Sequence, residues 1–182
     1  MSRLLTLSLA LLLTACSSIE LDETNPSNVN LDGTWILDFA NSDDVPDMRD
    51  GLNWPKQRQP RNPREAQISE IRGAIGSGLA FIVHDFEVLR ADKMEIELNP
   101  DSMGIRYFPG VYRDVSWGER QRGLWEVYAG WELGDLVILS RAPDLRVMER
   151  MQLSGDRLTV QVEIKADDEQ RTLTRVFRRG RE

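Results

Sequence analysis

Between residues 86 and 179, apolar and polar side chains alternate in short runs separated by turn-forming residues. In 157–164, RLTVQVEI, Leu158, Val160, Val162 and Ile164 share one parity, and Thr159, Gln161 and Glu163 the other. In 93–98, KMEIEL, Met94, Ile96 and Leu98 alternate with Glu95 and Glu97. A period of two puts one set on each face of a strand, so each run reads as a half-buried strand. Further runs cover 86–90, 104–108, 124–133, 136–141, 145–153 and 171–179, and an earlier strand opens after the Asp32-Gly33 turn in LDGTWILDF. The breaks at Asn99-Pro100-Asp101, Pro109-Gly110, Gly134-Asp135 and Ser154-Gly155-Asp156 are short enough to join antiparallel neighbours. The predicted fold is mainly β, an antiparallel meander of eight or nine strands that forms a small barrel or a strongly curved sheet. Closure removes the unpaired edges a long meander would leave. A barrel of about eight strands is either filled by side chains or holds one small ligand.

One stretch follows a helical period. Asn62 as N-cap, Pro63 at the first helical position, Glu65 three residues after the cap, and Ile68, Ile71 and Ile75 on one face predict a helix near residues 63–77. Gly73, Gly76 and Gly78 bring it to an end, and the following LAFIVH fits either an extension or a strand. The proline-rich stretch before it reads as an exposed excursion. Lys56, Arg58, Arg61 and Arg64 form its basic part, either a solvated loop or a contact for anionic lipid or glycan phosphates.

The first residues belong to another category. Arg3 and the apolar run 4–13 form a positive region and a ten-residue hydrophobic segment, about half the length needed to cross a bilayer of roughly 20 residues. Leu13-Thr14-Ala15-Cys16 then resembles the lipobox of bacterial lipoproteins. That resemblance implies a signal peptide over residues 1–15, removal before Cys16, and acyl chains on Cys16 that tie the protein to a membrane. Ser17 in the next position implies, by the sorting rule of many Gram-negative bacteria, the outer membrane ahead of the inner. An ordinary secretory signal with an incidental cysteine is the alternative. Residues 16–30 then form the lipidated cysteine and a polar tether with an expected span on the order of 20 Å, and 31–182 a single β-rich domain.

Charge narrows the partners. The chain has 23 Lys+Arg against 30 Asp+Glu, a net −7, and without the leader's Arg3 the balance is 22 against 30, or −8. Such acidity argues against nucleic acid as a partner. Cys16 is the only cysteine, so there is neither a disulfide framework nor a second thiol. His84 is the only histidine and lies in an apolar run; zinc would have to rely on carboxylates, and no G-x-S-x-G elbow surrounds a serine. The glycines of 73–78 have the wrong order for a dinucleotide loop. Asp43/Asp44 and Asp167/Asp168 fall in predicted turns, where solvation explains them. No catalytic residue, metal or cofactor is expected.

Two features disturb the binary pattern. On 145–153 one face reads Leu145, Val147, Glu149, Met151, Leu153, and on the last strand one face reads Leu173, Arg175, Phe177. A charge facing an apolar interior is costly unless paired. Glu149 and Arg175 are therefore a candidate interior ion pair, unless a bulge or register shift brings one to water. Aromatic residues also gather between positions 107 and 131. Tyr107, Trp117, Trp125, Tyr128 and Trp131 are the candidate ligand pocket, with core packing as the other reading.

Gly33-Thr34-Trp35 at the first strand resembles the G-x-W opening of lipocalins, which implies an eight-stranded barrel binding a small apolar molecule. GTWILDFANSDD, LVILSRAPDLRVMERMQLSGDRLTVQVEI and RTLTRVFRR also resemble a group of small β-rich bacterial envelope proteins, a likeness that brings no catalytic residue. The expected function is non-catalytic binding of a small apolar or amphipathic molecule at the membrane. The alternative is a structural or assembly role through contact with another envelope protein.

Overall fold

The computed structural model describes residues 19–45, 85–143, 145–166 and 169–180. Among these residues ten strands follow one another: β1 Gly33–Leu37, β2 Lys93–Asn99, β3 Ser102–Phe108, β4 Val111–Ser116, β5 Gly118–Arg122, β6 Trp125–Glu132, β7 Asp135–Ala142, β8 Leu145–Ser154, β9 Arg157–Ala166 and β10 Glu169–Arg179. They form a single antiparallel sheet in the order β4-β3-β2-β1-β10-β9-β8-β7-β6-β5, which curls into a nearly closed barrel. The mainly β architecture matches the expectation, with ten strands where eight or nine were read. Helical structure among the described residues is limited to short turns, including the 3-10 turns Phe39–Asn41 and Glu87–Leu89. The helix expected at 63–77, His84, the basic excursion, Cys16 and Asp167/Asp168 lie outside the described residues.

The alternating pattern decides which face is inside. Directly opposed residues in antiparallel strands point to the same side, and rows of opposed residues run around the barrel. One row is Arg175, Val160, Met151, Leu136 and Trp131; the next is Leu173, Val162, Glu149, Ile138 and Ala129. Trp35, Met94 and Tyr107 form a third across β1, β2 and β3. Buried apolar side chains from nine of the ten strands, with Phe86, Val88 and Leu89 from the segment leading into β2, make one continuous core. That segment, 86–90, differs from the expected strand. Val88 and Leu89 are adjacent and both buried, an arrangement a strand cannot give on one face and a 3-10 turn can.

β4 and β5 were not read as strands, and they are the two edges of the sheet. They are consecutive, joined through Trp117, yet do not pair with each other. The junction lies at one end of the barrel, so among the described residues β4 and β5 leave an unpaired wedge toward the other end, the mouth.

The opposite end is closed by the segment expected to be a tether. Asp22 and Trp131 exchange two backbone hydrogen bonds of 2.9 and 2.8 Å. Leu21 is buried, and its backbone N–H donates to Tyr128 Oη at 3.2 Å. Asn25 Nδ2 donates to the Asn99 carbonyl, and Leu31 is fully buried. Trp35 closes this end from within: its indole N–H donates to the Leu31 carbonyl at 2.8 Å, and the Arg179 guanidinium stacks 4.3 Å from its ring. Arg179 also donates to the carbonyls of Asn30 and Asp32. A cation over an indole contributes about 0.5–2 kcal/mol. The G-x-W element is thus a clamp between the first and last strands.

Candidate functional site

Inside this apolar barrel Arg113 and Glu149 are 4% and 0% exposed. Arg113 projects from β4 on the row of Ile96 and Ile105, and Glu149 from β8. The guanidinium crosses the lumen, with Nη1 donating to both carboxylate oxygens at 2.9 and 2.8 Å. Glu149 therefore takes Arg113 as its partner, where the sequence offered Arg175. Glu149 stands opposite Val162 of β9 and Arg175 opposite Val160, on either side of that strand and two residues out of step. Arg175 is buried, as its parity predicts, and its Nη1 donates to the Asp43 carbonyl at 3.1 Å. Burial lowers its pKa, with Asp92, Asp43 and Asp44 opposing. Asp43 meanwhile accepts from the Thr174 backbone, so the Asp43/Asp44 turn is structural.

The pair leaves donors unused. Arg113 Nη2 and Tyr107 Oη are buried, meet hydrogen-bond geometry with no other atom, and lie close enough to act on each other. Burial pushes the Tyr107 hydroxyl well above its ordinary value, with Arg113 opposing, so it is a neutral O–H donor. For Arg113, burial works against the charge, but the Glu149 carboxylate, then Tyr107, outweighs it and holds the guanidinium above its ordinary value. Phe86 lies 5.9 Å below the same guanidinium.

Toward the mouth, Arg120 and Arg122 of β5 stand opposite the inward-facing Val127 and Trp125 but keep much of their side chains in solvent. Partial burial, then the like charge of Arg113, lowers the Arg122 pKa; Glu149, Tyr107 and Asp85 oppose. Trp125 donates its indole N–H to Asp85 Oδ2 at 2.7 Å and meets Phe86 edge-to-face at 5.2 Å. Asp85, Arg122, Gly123, Leu124 and Trp125 line a cavity of about 330 Å³. A larger open groove, about 510 Å³, lies at the closed end between Asn28, Val29 and the turns after β6 and β8.

The five aromatic candidates are thereby separated. Tyr107 and Trp125 belong to the charged cluster and the mouth. Trp117 and Trp131 pack against each other at 5.8 Å in the closed end, the first donating to the Pro100 carbonyl. Tyr128 lies on the outer face and holds the strap at Leu21. Arg113 and Arg122 sit on β4 and β5, whose sequences lack the hydrophobic period that marks a strand. The available signal was weak: Val111, Arg113 and Val115 do alternate with Tyr112 and Asp114 between the Pro109-Gly110 and Gly118 breaks. Among the described residues no group of His, Cys, Asp and Glu could hold a metal ion.

Among the described residues, fold and site together define a nearly closed ten-stranded barrel with a charged pair in its lumen and unpaired strand edges at one end. No protein-family model matches the sequence, and no curated protein matches it. Solved structures of similar fold include a fatty acid transporter, REP1-NXSQ, at 12% identity and TM-score 0.49, covering 84% of this chain and 97% of that one. Human cRBP IV is similar at 18% identity and TM-score 0.48, over 84% and 99% of the two chains. A luciferase domain from the dinoflagellate Lingulodinium polyedrum is similar at 12% identity and TM-score 0.45, over 88% and 45%. These likenesses concern the course of the chain alone.

Proposed function

We propose that this protein is a lipid-anchored, non-catalytic envelope carrier that holds a small amphipathic molecule, its anionic head at the wedge and its apolar part toward the core. The observation that carries this reading is the pair of unsatisfied buried donors, Arg113 Nη2 and Tyr107 Oη, beside Arg122 at a cavity open to the mouth. Buried donors without acceptors are costly, about 1–3 kcal/mol each, and a carboxylate or similar head would satisfy them. The guanidinium groups can only donate and the Tyr107 hydroxyl can donate, which favours an acceptor and, beside two guanidinium groups, an anion. Anchoring by acyl chains on Cys16, and placement in the outer membrane by Ser17, complete the proposal.

The test is fluorescence titration with 11-dansylaminoundecanoate and with its methyl ester. The acid is expected to bind and the ester to bind more weakly. Arg122→Gln should weaken the acid by roughly 10- to 100-fold, the loss of one charge-assisted hydrogen bond. Equal binding of acid and ester, or no effect of Arg122→Gln, contradicts the assignment of the head. The absence of binding by either probe, with a protein co-purifying instead, favours the assembly role.

A further inference from the structure

We infer that the barrel stands on the membrane with its closed end toward the bilayer and its mouth toward the water phase, so that its ligand exchanges with the aqueous side rather than with the bilayer that anchors it. This rests on the proposed acylation of Cys16 and concerns orientation, which that reading leaves open. The determinant is the strap. Only the four residues 17–20 separate Cys16 from Leu21, and Leu21 is fixed in the fold. Its backbone is bonded to Tyr128 Oη, and the following residue pairs with Trp131 on both sides. Gly130 makes this approach possible: a Cβ there would meet the Asp22 carbonyl oxygen and Leu21 Cβ, each at 2.7 Å.

The leash is therefore short. Five residue steps span roughly 12 Å as a random coil and at most about 18 Å when fully stretched. The longest strands, which set the height of the barrel, are long by comparison. β8 and β9 have ten residues each, about 34 Å along the strand and on the order of 25 Å along a barrel axis tilted by the usual angle. Placing the mouth on the bilayer would lift the closed end by most of that height, at or past the full stretch of the leash, about 18 Å. Placing the closed end there leaves the leash relaxed. The charges at the closed end set the manner of approach: Asp22, Glu23, Glu132, Asp135 and Asp156 outnumber Arg150, Arg157 and Arg179 there. This acidity repels an anionic leaflet and holds the closed end off the headgroups, so the leash alone ties the barrel down.

Two exposed leucines mark the ends. Leu133 projects fully into solvent from the β6–β7 turn at the closed end, and Leu124, 58% exposed, sits at the mouth. Full-length acylated protein carrying Leu133→Cys or Leu124→Cys, labelled with a fluorophore, is placed in phosphatidylethanolamine and phosphatidylglycerol vesicles containing a doxyl-labelled lipid. Quenching several-fold stronger at position 133 than at 124 is the expected result, and Gly130→Ala, which dislodges the strap, should narrow the difference. Equal quenching or stronger quenching at 124, in protein that floats with the vesicles, overturns the orientation and leaves the anchor intact. Protein that does not float, and in which Cys16 also takes the label, contradicts the anchor reading and the inference with it.

Discussion

Arg113 and Glu149 occupy positions that β-strand alternation reserves for apolar side chains, and each is tolerated there only because of the other. Two charges withdrawn from water are tolerable when paired, but removing one leaves the other stranded at a cost of about 3–5 kcal/mol. Glu149→Gln and Arg113→Met should each destabilise the protein by an amount of that order in urea unfolding. The double variant Glu149→Leu/Arg113→Met should recover most of the loss, because an apolar pair needs no partner. Similar losses in singles and double would mean that packing volume, not charge, holds the site. Tyr107 gives a pH test. Its folded pKa is raised above 10.0, so its contribution to stability is complete below pH 10 and is lost as the pH rises toward the folded value. The rate is about 1.4 kcal/mol per unit, since the unfolded chain ionises first. Tyr107→Phe should flatten that alkaline decline; an unchanged slope between pH 10 and 11 would place the effect elsewhere. At neutral pH the same substitution removes an unsatisfied hydroxyl and is expected to leave stability equal or higher.

β2, β8 and β9 were legible from the chain because their inward residues are almost all apolar, and parity alone placed Glu149 and Arg175 inside correctly. β4 and β5 were not, for a reason tied to the site. Their positions of inward parity include Arg113, Arg120 and Arg122, so the residues that make the mouth chemically distinct also erase the hydrophobic period that marks a strand. Partners across the lumen are a second loss, because a 36-residue separation from β4 to β8 is fixed by curvature that no local pattern encodes. The strap was misread for a related reason. Residues 19–30 have no period of their own, and their order comes from two backbone bonds, a tyrosine hydroxyl and the gap at Gly130. Gly130→Ala is accordingly expected to raise hydrogen exchange at Asp22 and Trp131, whose amides bond each other's carbonyls, while β8 and β9 keep their protection. Unchanged exchange at both amides would show that the strap tolerates the added methyl group.

At the scale of the whole molecule, the parts agree on a direction. Among the described residues, a clamp of Trp35 and Arg179 and a short strap close one end, unpaired edges leave a wedge at the other, and unsatisfied donors sit in the lumen between them. The chain carries a net −7, yet Arg113 is buried in the lumen and Arg122 lines the cavity at the mouth. The central claim is that this lumen takes an anionic amphipathic molecule. The most direct measurement is native mass spectrometry of the Cys16→Ser chain, exported without acylation and purified from its own envelope without detergent. A protein mass increased by one small anionic amphiphile, reduced or absent in Arg122→Gln, is the predicted result. A bare mass for both chains, or a mass increased only by another protein, would contradict it.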